Sequence, residues 1–192
     1  MIYEEEIITL LEHSKIRNDM KWIQYTQNDS EELYNMYKRL CIIDRKISSY
    51  RDVISGLYIV SALQLYQYYK NTNKIQYRFE CILACYLMTR TIYSEMNFLH
   101  KKRLNRLYEE YEININKIYF YEKDMWKFFE YDFHRIPLTI NYFFNISFYR
   151  EEQIQQHIES SIYDLIRYDR TMIKKSPFLF TCVLCKHIFF SI

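Results

Sequence analysis

Two cysteines and a histidine near the C-terminus have the spacing of residues that hold a metal. Cys182 and Cys185 are two residues apart and His187 follows, a pattern that also occurs in redox-active thiol pairs. The surrounding residues are apolar and contain no turn that could bring four ligands together. We therefore predict that these thiols pack as small apolar side chains on a helix, as we also predict for Cys81 and Cys85. No metal or other cofactor is expected.

A basic segment, HKKRLNR at 100–106, has the composition of a nuclear-import signal or a nucleic-acid contact. Charge runs on helices are more often solvated faces, and the formal net charge is only +2. A charge that small provides no broad positive field for the nucleic-acid backbone. We predict a solvated face and do not expect nucleic acid as a partner.

Patterns typical of catalysis are missing from the sequence. It contains no glycine-rich phosphate loop, no nucleophile with its base, and no pair of carboxylates placed for acid–base work. We therefore expect that the protein is not an enzyme.

The composition indicates a helical protein. One Gly and two Pro among 192 residues leave almost none of the turn formers that sheet proteins need. The longest uncharged stretch, 53–69, is shorter than the about 20 residues of a membrane-spanning helix. The acidic start MIYEEE does not resemble a secretory signal, and an odd number of cysteines, five, is typical of reduced thiols inside cells. We expect an intracellular all-α protein that contacts no membrane.

Helical periodicity and capping residues divide the chain into helices. The predicted helices cover about 1–18, 29–47, 50–70, 76–93, 95–111, 115–131, a short stretch after Pro137, 150–168, and 177 to the end. The helix at 50–70 is apolar on nearly every side, so we place it at the centre of the fold. Its Gly56 disfavours a helix by about 1 kcal/mol, and close approach of a neighbouring helix explains it. Ser176 is the predicted N-cap of the last helix.

Two segments resemble each other. FECILACYLM at 79–88 is similar to FTCVLCKHIF at 180–189, and each follows an amphipathic helix. This indicates a weak internal repeat, with one complete helical unit and the opening helices of a second.

The order of these motifs resembles the cyclin box family. LMTRTIY at 87–93 stands where the family's third helix ends. Glu122 is followed, at the family's offsets, by a set of large apolar residues and then a proline: Trp126, Phe129, Tyr131, Phe133 and Pro137. RYDRTMIKKSPFLF, from 167 on, is similar to the opening of a second box, and NDSEEL ahead of YRDVI is similar to the entry of transcription-associated (cyclin C/H-like) cyclins.

The resemblance implies a cyclin-like helical bundle. Residues 1–28 would be a lead-in helix, 29–147 a complete box, and 148–192 a partial second box. It also implies a regulatory subunit that binds and activates a cyclin-dependent kinase in cell-cycle or transcription control, with no small-molecule ligand, in the nucleus.

In the family, the third and fifth helices face the kinase. The implied kinase-binding residues here are Arg90, Tyr93, Glu95 and Glu122. We expect Arg90 and Glu122 to pair at the centre of that surface. Two alternatives stay open: a transcription factor IIB-like protein that binds transcription machinery or DNA, and a structural helical protein without a kinase.

Overall fold

The computed structural model describes residues 27–48, 54–73, 78–93, 98–131, 136, 138–144 and 152–191. These residues form eight α-helices and one 3₁₀-helix, and they contain no strand, so the all-α prediction is confirmed. The elements are α1 (Gln27–Ile47), α2 (Ser55–Asn73), α3 (Phe79–Tyr93), α4 (Phe98–Glu110), α5 (Ile115–Phe128), α6 (Thr139–Phe144), α7 (Glu152–Tyr168), the 3₁₀-helix Arg170–Lys174, and α8 (Pro177–Ser191). The predicted lead-in helix and Pro137 lie outside the described residues.

Helix α2 is central, as its apolar pattern predicts. It contacts α1, α3, α6, α7 and the 3₁₀-helix. Gly56 explains the approach of α7, because a Cβ atom added there would lie 3.1 Å from Cδ1 of Ile162. The close approach expected at this glycine is therefore confirmed.

Helix α3 is buried on all sides over ten consecutive residues, 81–90. It packs against α2, α5 and α1. A helix that is apolar all round avoids water only when other helices enclose it. The polar residues at the end of this stretch therefore need partners inside the protein.

Helices α1 and α5 are amphipathic and cover two sides of this core. The buried residues of α1 recur every three or four positions, which places them on one face: Leu33, Tyr37, Leu40, Ile43 and Ile47. In α5 the buried residues are Ile118, Tyr121 and Met125. Asn114 caps α5 by accepting a hydrogen bond from the Lys117 amide at 3.3 Å.

Buried polar residues of α2 hold the later part of the chain. Gln64 donates to Thr139 Oγ1 at 2.7 Å and accepts from its amide at 2.9 Å. Ser61 accepts from the Ile140 amide at 3.0 Å. These bonds satisfy backbone groups at the start of α6 that the helix itself leaves unpaired.

Helix α8 packs against α7 and α6. The Leu179 amide donates to Ser176 Oγ at 3.3 Å, so the predicted N-cap of α8 is confirmed. Helices α7 and α8 contact each other, as α2 and α3 do. The division into one and a half boxes stays a prediction, since the proposed boundary at 148 lies outside the described residues. Of the helices described, none combines the length and apolarity that crossing a membrane requires.

Candidate functional site

Arg90 lies inside the protein. Its exposed fraction is 0%, and its guanidinium contacts the Asp44 carboxylate, which is 4% exposed, at 2.5 Å from Oδ1. The same nitrogen lies 2.8 Å from Ser48 Oγ and 2.7 Å from the Tyr86 hydroxyl. The guanidinium also lies over the Tyr58 ring, 5.7 Å from its centroid. Arg90 therefore joins α3 to the end of α1.

The Asp44 carboxylate collects several donors. Ser48 Oγ donates to Oδ1 at 3.0 Å, and the Tyr86 hydroxyl donates to the same atom. Burial, followed by the nearby charge of Asp44, raises the pKa of Tyr86 well above its ordinary value, so this hydroxyl remains a donor. A buried charge pair withstands desolvation only when such hydrogen bonds accompany it.

This geometry corrects the expectation that Arg90 is a surface cation paired with Glu122. Among the described residues Arg90 pairs with Asp44, and its side chain is not exposed to water. The physical cause is the length of the buried stretch of α3, which extends to Arg90 itself.

Glu122 lies half-buried on α5. Burial raises the pKa of its carboxyl above the ordinary value. Within the described part of the chain, no ion pair or hydrogen bond to this side chain is present. Glu122 lies near Tyr108 of α4: burial raises the pKa of that tyrosine, and the charges of Glu122 and Tyr119 raise it further.

One side of α5 carries a stripe of large side chains around Glu122. Ile115, Tyr119, Glu122 and Trp126 recur at helical spacing and so share a side of the helix. Tyr119 is 62% exposed, Ile115 is exposed, and the ring of exposed Tyr131 stacks on Trp126 at a centroid distance of 6.1 Å. We call these five residues the α5 flank. It is an apolar strip with one carboxylate.

Tyr93 lies at the end of α3 and contacts α6. Its hydroxyl donates to Asn141 Oδ1 on α6. Burial raises the pKa of Tyr93 to about 12. Tyr93 therefore ties two helices together. The fourth predicted residue, Glu95, lies outside the described residues.

The cysteines occupy the positions that apolar packing predicts. Cys81, Cys85 and Cys185 belong to the hydrophobic core, and Cys85 Sγ lies 3.3 Å from Met125 Sδ. Cys182 is half-buried. In the described ranges, no three metal-ligating side chains come together.

The basic segment lies on α4. Lys101, Lys102 and Arg106 are exposed, as expected for a solvated face. Arg103 differs, because its guanidinium donates to the carbonyls of Ile47 at 3.1 Å and Ser48 at 3.3 Å. It thereby binds the C-terminal end of α1, where carbonyl groups lack helical partners.

Comparison with known proteins identifies no relative: no protein-family model, no curated protein and no solved structure matches this chain.

Proposed function

We propose that this chain is a cyclin-like regulatory subunit that binds and activates a cyclin-dependent kinase catalytic subunit, with the α5 flank as its docking surface. The observation that carries the proposal is the two-sided character of α5. Its inner face, with Ile118 and Met125, packs on α3, which is buried over residues 81–90. Its flank exposes aromatic side chains around Glu122.

The chemistry of the α5 flank favours a helix as the partner element. Aromatic side chains on a rigid helix contribute large contact areas and are enriched where proteins bind each other. A partner helix with an apolar stripe would cover Ile115 and Tyr119. A donor on that helix, from a basic or amide side chain, would meet the Glu122 carboxylate. The C helix of a kinase is the partner element that the cyclin resemblance implies.

Arg90 has a supporting role in this proposal. By joining α3 to α1 through Asp44, it fixes the helix on which α5 packs. When α3 is held rigidly, less conformational entropy is lost as a partner binds α5, and this favours affinity. The interface itself is then formed by Glu122 and its neighbours on α5, and Arg90 contributes no direct contact.

Activation would work by a population shift. The chain would bind the kinase conformation in which the C helix is swung inward more tightly than the inactive conformation. Moving an equilibrium from about 1:99 to about 99:1 needs a preference of about 10⁴-fold, or about 5.5 kcal/mol. The proposal also places the protein in the nucleus, where the exposed basic face of α4 would serve import.

The experiment is affinity purification of the tagged full chain from its native cells, followed by identification of co-purifying kinases and a phosphorylation assay. Tyr119→Ala removes an exposed ring of the α5 flank, and we expect it to reduce the recovered kinase. Phe120→Ala is the matched control, because Phe120 is 65% exposed and points to another side of the same helix. Absence of a kinase, or equal losses for both variants, would argue against the proposal.

A further inference from the structure

A cleft of about 350 Å³ lies between α1, α2 and α7. Tyr37, Cys41 and Asp44 of α1 line one side, Ile59 of α2 lies between, and Tyr163 of α7 lines the other. It is separate from the α5 flank. Its volume is at the small end of the about 300–1,000 Å³ that ligand sites occupy, so it suits a molecule of one or two rings.

The cleft contains one strong hydrogen-bond acceptor. Among the described residues, three side chains donate to the Asp44 carboxylate, those of Ser48, Tyr86 and Arg90, and all three bind its Oδ1 atom. Asp44 also lines the cleft, and none of these three donors binds its Oδ2 atom. We infer that a donor inside the cleft would bind Oδ2. Bonds to a charged acceptor are stronger than neutral ones. An occupant with an N–H group would therefore gain the most.

Most of the other groups that line the cleft are uncharged at neutral pH. Burial raises the pKa of the Cys41 thiol to about 11, although nearby Tyr37 and Arg45 lower it. Burial likewise raises the pKa of Tyr37, with smaller contributions from Cys41, Glu159 and Tyr163. A thiol that stays protonated is a poor nucleophile, so the cleft is suited to binding and not to covalent chemistry.

The fixed charges around the cleft balance each other. Asp44 and Glu159 are negative, while Arg45 lines the cleft and Arg90 lies behind Asp44. Neither an anion nor a cation is favoured by such a set, whereas a neutral molecule meets no repulsion. The tyrosine side chains and Ile59 provide apolar surface for a flat ring.

We propose that this cleft binds a small, uncharged aromatic heterocycle that carries an N–H group. The N–H donates to Asp44 Oδ2, and the ring lies against the tyrosine side chains. This differs from the expectation, drawn from the sequence, that no small molecule binds. Since Oδ1 of the same carboxylate binds Arg90, an occupant would bind the carboxylate that pairs with Arg90.

The test uses indole and benzofuran, two bicyclic compounds of nearly equal shape, of which only indole has an N–H. Titration of the isotope-labelled full chain, followed by amide chemical shifts, gives both affinities. We expect shifts on α1, α2 and α7, and about tenfold or tighter binding of indole, because a hydrogen bond to a charged group contributes at least that factor.

Two variants on α7 locate the site. Tyr163→Ala removes a cleft side chain, and we expect it to weaken indole several-fold. Tyr168→Ala is the matched control, since this exposed tyrosine on the same helix is not among the cleft residues, and indole should bind it as it binds the unchanged chain. Equal affinity for indole and benzofuran, no binding of indole up to its solubility, or tighter binding of the cation agmatine would overturn the proposal.

Discussion

Replacing Arg90 by Met tests the buried ion pair, because methionine keeps much of the volume and removes the charge. In the folded chain Arg90 is wholly buried and Asp44 nearly so, with 2.5 Å between the guanidinium and the carboxylate. Removing one partner leaves the other as an uncompensated buried charge, which typically costs about 3–5 kcal/mol. Ser48 and Tyr86 still donate to Asp44 in the variant, so we expect a value near the lower end of this range. For a domain of this size, that corresponds to a melting temperature lower by about 10 °C.

The assay is urea unfolding followed by circular dichroism. Arg170→Met is the matched control, because Arg170 pairs with Glu31 on the surface and both side chains are about half exposed. Exposed pairs contribute about 0–1 kcal/mol. The double variant Asp44→Leu with Arg90→Met should lose less stability than the sum of the two single variants, since no lone charge remains. If Arg90→Met were as mild as Arg170→Met, the buried-pair account would be refuted.

Three further predictions concern single sites. Glu122→Gln should stabilise the chain more at about pH 7 than at about pH 4. Burial raises the folded pKa of Glu122, so the free energy of unfolding of the unchanged chain falls as the pH rises from the unfolded pKa near 4.3 through the folded pKa. Urea unfolding that gives the same difference between the two chains at both pH values would contradict this. Gly56→Ala should change the free energy of unfolding by less than about 1 kcal/mol, because the higher helix preference of alanine stabilises α2 while the 3.1 Å distance from its Cβ to the end of the Ile162 side chain destabilises the packing. Gly56→Leu should cost about 1–3 kcal/mol. A Leu variant of unchanged stability would show that α7 does not pack there. Burial raises the pKa of Cys185 to about 12, so iodoacetamide should modify this thiol at least about a thousandfold more slowly in the folded chain than in urea. Peptide mass spectrometry measures both rates, and similar rates would place this thiol outside the core.

The helices could be predicted because their signals are local. Ser176 precedes the first turn of α8 and accepts its amide hydrogen bond within three residues. The uniformly apolar pattern of 50–70 indicated a central helix, and Gly56 indicated a close neighbour, which is α7. Such features depend on spacing within one helix, and spacing is visible in a sequence.

The partner of Arg90 could not be predicted in the same way. Asp44 is 46 residues away in the chain, and the choice between Asp44 and Glu122 depends on how α1, α3 and α5 pack. One signal was present, however. Asp44 lies between Ile43 and Ile47 on the inward side of α1, and an acid on an apolar face needs a buried cation. The exposed rings of Tyr119 and Tyr131 were missed because the sequence does not separate core aromatics from surface ones.

The most direct test of the proposed function is the affinity of the purified kinase for Glu122→Lys. Asp164→Lys on α7 is its matched control, since it converts another half-buried acid to a base, away from the α5 flank. Reversing a charge that becomes desolvated in an interface costs at least about 2 kcal/mol, or about 30-fold in the dissociation constant. The account predicts that loss for Glu122→Lys and an unchanged constant for Asp164→Lys, with both chains equally helical. Equal dissociation constants for the two variants would contradict kinase docking on the α5 flank.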